Sequence, residues 1–263
     1  MTQYITYLTA LLIFSIKIAN LSGSSTDTAK LCTICLEPLK ETFSIDAWNN
    51  PFHTYHEKEG VFCHSCSRII SEGITQGGFL YSDGRHVCKL CQVSVVEEDS
   101  IINISYKSVL KQIETVGFNH IPTNIPIRLI NLIELNENFG NKLHGNLKGF
   151  TQVQIENNSK KSYEIFLLFG LPQIEFEAVL AHELLHIWLH ENNLNLNQNI
   201  VEGFCNLGTA LIYQNDNTYF SNIHLKAMEN DTDLIYGEGY RKMKSISAKL
   251  GWEKLLSNLI NSE

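Results

Sequence analysis

The longest stretch in which apolar residues recur with helical spacing runs from Ile174 to Glu191, IEFEAVLAHELLHIWLHE. Phe176, Val179, Leu180, Leu184, Ile187 and Trp188 recur at three- and four-residue intervals, which predicts a helix. An Asn-rich break, ENNLNLNQN, ends it, and a second helical run, NIVEGFCNLGTALIY, follows. Upstream, GFTQVQIE and SYEIFLLF read as strands joined by a turn at NNSKK. IRLINLIEL reads as a further strand and NISYKSVLKQIETVGF as an amphipathic helix, with Pro122 and Pro126 between them. Gly170-Leu171-Pro172 stops SYEIFLLF just before the long helix. That strand fits two places: a cleft edge on which an extended peptide could pair, or a sheet interior, which its apolar run Ile165 to Phe169 also suits. From Val95 onward the chain is therefore expected to be α+β.

Residues 31–93 have a different texture, with few large aliphatic side chains and six of the seven cysteines. The six form three Cys-x-x-Cys pairs, Cys32/Cys35, Cys63/Cys66 and Cys88/Cys91, and His53-x-x-His56 lies between the first two. Taken in order they make one set of two cysteines and two histidines (Cys32, Cys35, His53, His56) and one of four cysteines (Cys63, Cys66, Cys88, Cys91). Each set suffices for a closed tetrahedral zinc site. A segment this poor in core residues would draw much of its folding energy from metal. Disulfides would be the alternative in an exported chain, but three such pairs with an HxxH fit zinc better. His64 and His86 flank these pairs and read as outward-facing, with His86 the one that could replace a neighbouring ligand.

The chemistry of the long helix lies in His182-Glu183-Leu184-Leu185-His186. Two histidines four residues apart stand on one helical face, where both imidazoles can reach one ion. Glu183 lies beside that ion without binding it and can take a proton from an attacking water. The motif sits among strongly apolar neighbours, where two histidines and a glutamate would be costly unless something binds them. A hydrolytic zinc site needs a third protein ligand and an open position. His190 fails, because eight residues of helix separate it from His182 by about 12 Å of rise. The extended motif with a third histidine is absent, since Leu189 and Asn192 stand where Gly and His are needed. Glu202, carried back by the second helical run, is the better third ligand, and Cys205 reads as a small buried residue.

The remaining features narrow the class. A 263-residue chain with 44% hydrophobic and 18% charged residues is globular. Its formal net charge of -8 argues against a nucleic-acid partner. The apolar run from Tyr4 to Ile16 is short for a bilayer span and suits the core of a secretory signal, with Ser22-Gly23-Ser24 as a cleavage pattern, although no Lys or Arg precedes it. Residues 1–24 are thus expected to be a signal peptide and 25–30 a linker. Residues 31–93 would be the zinc-binding unit and 94–263 the domain carrying the helix motif. Location would be periplasmic or extracellular if the segment directs export, and cytoplasmic otherwise.

The order GLP, LAHE-x-x-H-x-W-L and VEG, with Tyr236-Gly237-Glu238-Gly239-Tyr240-Arg241 near the C-terminus, resembles the LIM-domain gluzincin metallopeptidases related to the plant organ-size-control peptidases. The resemblance covers about residues 31–260. It implies a LIM-like double zinc module ahead of a gluzincin domain, with one catalytic and two structural zinc ions. It also implies His182, His186 and Glu202 as metal ligands, Glu183 as the base, and a protein or peptide substrate. Tyr236, in the matched segment, is the first choice for the donor to the developing oxyanion, ahead of Tyr240, Arg241 and His224. HxxH stands where a standard LIM module has HxxC, and six residues rather than two separate it from Cys63, so the module is LIM-like. No segment resembles the ubiquitin-interacting parts of the plant proteins, and ubiquitin-dependent activation is not carried over. The competing expectations are a non-catalytic zinc-stabilised adaptor that binds a protein partner, and a hydrolase acting on a non-peptide amide.

Overall fold

In the computed structural model, the helix-forming run around HExxH is the centre on which the second half of the chain packs. The structure describes residues 3–10, 17–20, 30–40, 42–137, 147–155 and 161–261. The chain divides into two compact units, Met1–Leu12 with Val96–Glu263, and Ile13–Val95. The first element, strand β1 (Gln3–Ala10), belongs to the larger unit.

The smaller unit holds strands β2 (Lys17–Asn20), β3 (Thr42–Ile45) and β4 (Pro51–Phe52), joined as one antiparallel sheet in that order. One-turn helices α1 (His56–Glu59) and α2 (Glu72–Thr75) follow, then the hairpin β5 (Gly78–Leu80) with β6 (His86–Cys88), and helix α3 (Lys89–Gln92). Its elements are too short to bury much apolar surface. One cluster consists of only Cys32, Phe52 and Ile69 with a few half-buried neighbours, which is the meagre core expected of a metal-stapled module. Local polar contacts reinforce it: the Trp48 indole donates to the Cys66 carbonyl at 2.7 Å, and the Arg68 guanidinium lies 3.2 Å from the centre of the Trp48 ring.

The larger unit continues with helix α4 (Asp99–Glu114), strand β7 (Ile127–Ile130), helix α5 (Leu132–Leu135), and strands β8 (Leu147–Ile155) and β9 (Lys161–Leu168). Helices α6 (Gln173–Glu191), α7 (Gln198–Asp216), α8 (Tyr219–Asn230), α9 (Gly237–Leu250) and α10 (Trp252–Ile260) complete it. The sheet order is β1-β8-β9-β7, antiparallel except for the parallel β7–β9 pair. Thus SYEIFLLF is an interior strand between β8 and β7, and β8 is interior too, between β1 and β9. The turn NNSKK falls largely outside the described residues, as does most of the linker.

One expectation is corrected here. IRLINLIEL is not one strand: Asn131 ends β7 and caps α5, its side chain accepting from the Glu134 amide at 2.8 Å. The first described residues, Gln3–Ala10, form a strand that pairs along β8. β-branched and aromatic residues at Tyr4, Ile5, Thr6, Tyr7 and Thr9 favour that conformation. Ser22-Gly23-Ser24 lies outside the described residues.

Helix α6 is buried from Glu175 to Leu189. A helix apolar on every side belongs at the centre of a fold, and this one packs on β8, β9, α4 and α7. Gly170, at φ 78°, makes the left-handed turn between β9 and α6. Asn193, at φ 54°, does the same where α6 ends, a conformation Asn tolerates. The return of α7 onto α6 is close because small residues face it. Thr209 Oγ1 donates to the Ala178 carbonyl at 3.1 Å, and a Cβ on Gly208 would lie 3.2 Å from the Ala181 carbonyl oxygen.

A candidate metal centre between two helices

On α6, His182 and His186 are one turn apart, and their Nε2 atoms stand 3.1 Å from each other. Both side chains are fully buried. From α7, Glu202 brings Oε2 to 3.2 Å from His182 Nε2 and 3.7 Å from His186 Nε2. Tetrahedral ligands about 2.1 Å from zinc stand about 3.4 Å apart, so these three donors are spaced as one ion would require. His190, further along α6, joins no candidate metal group among the described residues.

Burial sets the electrostatics of the three. It lowers His182 to about 3, against the opposing hydrogen bond with Asn206, and holds His186 well below the usual range. Both imidazoles are therefore neutral at ordinary pH, the state a metal ligand needs. Burial also pushes the Glu202 carboxyl well up. A buried carboxyl facing two neutral imidazoles gains most when a cation shares the site.

Glu183 points to the sheet. Thr151 Oγ1 on β8 donates to Glu183 Oε2 at 2.8 Å, and a Cβ on Gly149, two residues earlier, would stand 3.1 Å from Glu183 Oε1. Burial raises its pKa well above the ordinary value, opposed by the bond from Thr151. Such an environment suits a proton acceptor that must later act as a donor. Near this place β8 carries a bulge at Lys148, whose buried ammonium pairs with Glu175 in the first turn of α6.

Three residues that sequence reasoning did not assign to the centre lie in it. Asn206 Oδ1 is 3.0 Å from His182 Nδ1. Thr151 holds Glu183. Cys205 Sγ falls within 4.8 Å of donor atoms of both His182 and His186. Asn206 and Cys205 stand four and three residues after Glu202, on the same face of a helix, which was the available signal. Thr151 gave none, because its contact is tertiary.

Tyr236 is buried immediately before α9, with its amide donating to Asp233 Oδ1 at 2.8 Å. Its helix approaches the centre closely: a Cβ on Gly203, next to Glu202, would meet the Gly239 carbonyl atoms at 2.3 Å. Tyr240 has Lys244 5.9 Å from its ring, and Glu229 adds to the burial that raises its hydroxyl pKa.

In the smaller unit, Cys32, Cys35, His53 and His56 form one group of converging donors, and Cys63, Cys66, Cys88 and Cys91 a second. These are the two sets that the pair spacing implies. Cys35 Sγ lies 3.4 Å from His53 Nδ1, Cys66 Sγ lies 3.6 Å from Cys88 Sγ, and the Cys88 amide donates to Cys63 Sγ at 3.2 Å. All six thiols are free rather than paired as disulfides. A hydrogen bond from Cys66 is the main cause lowering Cys63 to about 7. His64 and His86 join neither group. The arrangement is compatible with a LIM-like zinc module.

Comparison with known proteins agrees with this geometry. The family described as DA1-like, Protein DA1, matches residues 128–214, which include α6 and most of α7. Protein DA1-related 2 of Arabidopsis thaliana is 22% identical over 81% of this chain and 52% of its own length. Protein DA1-related 1 of the same plant is 24% identical over 74% of this chain and 41% of its own length. LIM domain-containing protein HDR3 of Oryza sativa subsp. japonica is 22% identical over 87% and 60%. The chain thus spans about half the length of the curated relatives it matches. No solved structure matches it. Among the described residues no helix is long and apolar enough to cross a membrane. Through its cysteine and histidine clusters and the region around HExxH, this chain is similar to the DA1-type LIM-domain proteins of plants.

Proposed function

We propose that this protein is a zinc-dependent endopeptidase of the gluzincin type, acting on protein substrates, with the LIM-like module engaging a substrate or protein partner. One observation carries the reading: two neutral imidazoles and a carboxylate, all buried, converge within 3.7 Å while Glu183 is held apart from them by Thr151. A separately tethered carboxylate beside the three donors is what a hydrolytic site needs and a purely structural one does not.

His182, His186 and Glu202 would hold the metal, which when bound supplies a Lewis acid for the substrate carbonyl and lowers the pKa of its water. Glu183 takes the proton of the attacking water and delivers it to the leaving amine. Thr151 fixes the carboxylate for both transfers. Tyr236 is the proposed donor to the oxyanion, supported by the close approach of its helix to α7. The two cysteine-containing groups would each hold a structural zinc.

The experiment is Glu183→Gln, assayed on unfolded casein with zinc content measured in parallel. The substitution removes the base but no ligand, so metal content is expected to stay unchanged while cleavage falls by a factor of about 100 or more. Cleavage retained at the unaltered rate, in a metal-dependent assay, overturns the proposal.

A further inference from the structure

Two of the contacts of Glu183 come from strand β8. Gly149 and Thr151, alternate positions of β8, both face that carboxylate. A peptide whose bond is to be broken beside Glu183 would lie along β8, pairing backbone to backbone as an added strand. In this structure that edge is taken by the chain itself. β1 runs antiparallel to β8, with Tyr7, Leu8 and Thr9 opposite Thr151, Phe150 and Gly149, and it also packs against α6. Paired strands lie about 4.8 Å apart, so the backbone around Leu8 flanks the β8 residues that touch the base on the side opposite β9, which pairs with the same residues.

The pairing has the form of a bound peptide. It is continuous from Gln3 to Thr9 and breaks its register only at the Lys148 bulge, one residue before Gly149. Gln3–Ala10, QYITYLTA, carries no charge and no proline, and its β-branched and aromatic residues favour an extended backbone. We propose that the outer edge of β8 is a binding site for extended peptides and that residues 3–10 are its intramolecular occupant, which must leave before another peptide can pair. The consequence for turnover rests on the proteolytic reading; the occupancy itself does not.

The test uses the full chain with Tyr7→Pro and Leu8→Pro together. Neighbouring residues of a strand direct their amides to opposite sides, so one of the two prolines removes a donor facing β8. A fluorescein-labelled QYITYLTA peptide is titrated against this variant and the unaltered chain. At least 10-fold tighter binding to the variant is expected, with zinc content and thermal transition kept. Equal affinity for both proteins, absence of binding to either, or loss of the folded state in the variant overturns the proposal, the last because it makes β1 an integral strand.

Hydrogen exchange on the unaltered chain gives an independent reading. A displaceable occupant opens locally, so β1 amides should exchange at least 100-fold faster than those of β9; equal protection overturns the proposal. Casein cleavage by the variant should rise at least fivefold. If neither protein cleaves casein while only the variant binds the peptide, the occupancy stands and the proteolytic reading falls.

Discussion

The amide oxygen of Asn206 accepts a hydrogen bond from Nδ1 of His182 across 3.0 Å, one helical turn beyond Glu202. With its proton on Nδ1, His182 presents the lone pair of Nε2 toward His186 and Glu202. Positioning partners of this kind commonly carry a 10- to 100-fold effect on metal affinity. Asn206→Ala is therefore expected to weaken zinc retention at the helix site by about 10-fold or more, measured by competition with a chelator. Asn206→Asp keeps an acceptor in place and should retain the affinity. Equal zinc retention in all three proteins would show that Asn206 only packs.

The bond from Thr151 to Glu183 predicts a pH effect of definite sign. A general base works in its ionised form, so activity declines as pH falls through its pKa. Burial raises that pKa and the Thr151 hydroxyl opposes the rise. Thr151→Val removes the opposing contribution, so the acid limb of kcat/KM should move to higher pH. Zinc content should not change, since no ligand is touched.

Much of this centre could be read before the structure was known, for identifiable reasons. HExxH fixes the relation of His182, Glu183 and His186 through helical geometry alone, and the paired spacing of the cysteines groups their ligands. The strands β8 and β9 and the helices α4, α6 and α7 follow from the apolar pattern. What escaped depends on contacts distant in sequence. Thr151 reaches Glu183 only because β8 lies over α6, and nothing in GFTQVQIE announces that. The end of β7 at Asn131 was missed although Asn is a good helix cap, because the apolar run IRLINLIEL masks it. Cys205 was read from its type alone, whereas its place on the Glu202 face of α7 brings it to the histidines.

Gly203 and Gly239 form the tightest contact next to Glu202. A Cβ on Gly203 would stand 2.3 Å from the carbonyl carbon and oxygen of Gly239, and backbone on both sides leaves no flexible side chain to yield. Gly203→Ala should destabilise the larger unit by about 2 kcal/mol, the usual cost of overpacking. By moving α7, it should also weaken zinc retention. Gly208→Ala meets the flexible end of Leu185 at 3.0 Å and should cost less. A denaturant titration of both variants, with metal content measured beside it, checks the order.

The smaller unit offers a metal-removal experiment. With Phe52 and Ile69 as the fully buried large apolar residues of its Cys32 cluster, it depends on its ligand groups for order. Cys88→Ser removes a ligand from the four-cysteine group and should abolish protection of amides in β5 and β6. Exchange in α6 and α7 should be unaffected, because those helices have their own buried core. Slow exchange persisting in β5 and β6 would show that the group is not holding metal.

The last prediction concerns the metal-free protein, whose stability should change with pH in two opposing ways. His182, lowered to about 3 by burial, stays neutral when folded but takes a proton when unfolded below about 6.5. The unfolded state then binds more protons, so this contribution makes stability rise with pH between about 3 and 6.5. Glu202 and Glu183 act the other way. Burial raises both well above their ordinary value, so the folded state keeps protons that the unfolded state has released. Their contribution is complete below about 4.5 and is lost as pH rises toward the folded values. Above 6.5 the His182 contribution is constant and, of these three groups of the larger unit, only the carboxylates still change. The Tm of the chelated protein should therefore fall from pH 6.5 to 8.5. Zinc should abolish that fall by stabilising the ionised Glu202 in the folded state, and Glu202→Gln should lessen it without zinc. A chelated protein whose Tm is flat or rising over this interval would mean that neither carboxyl holds a proton in the fold.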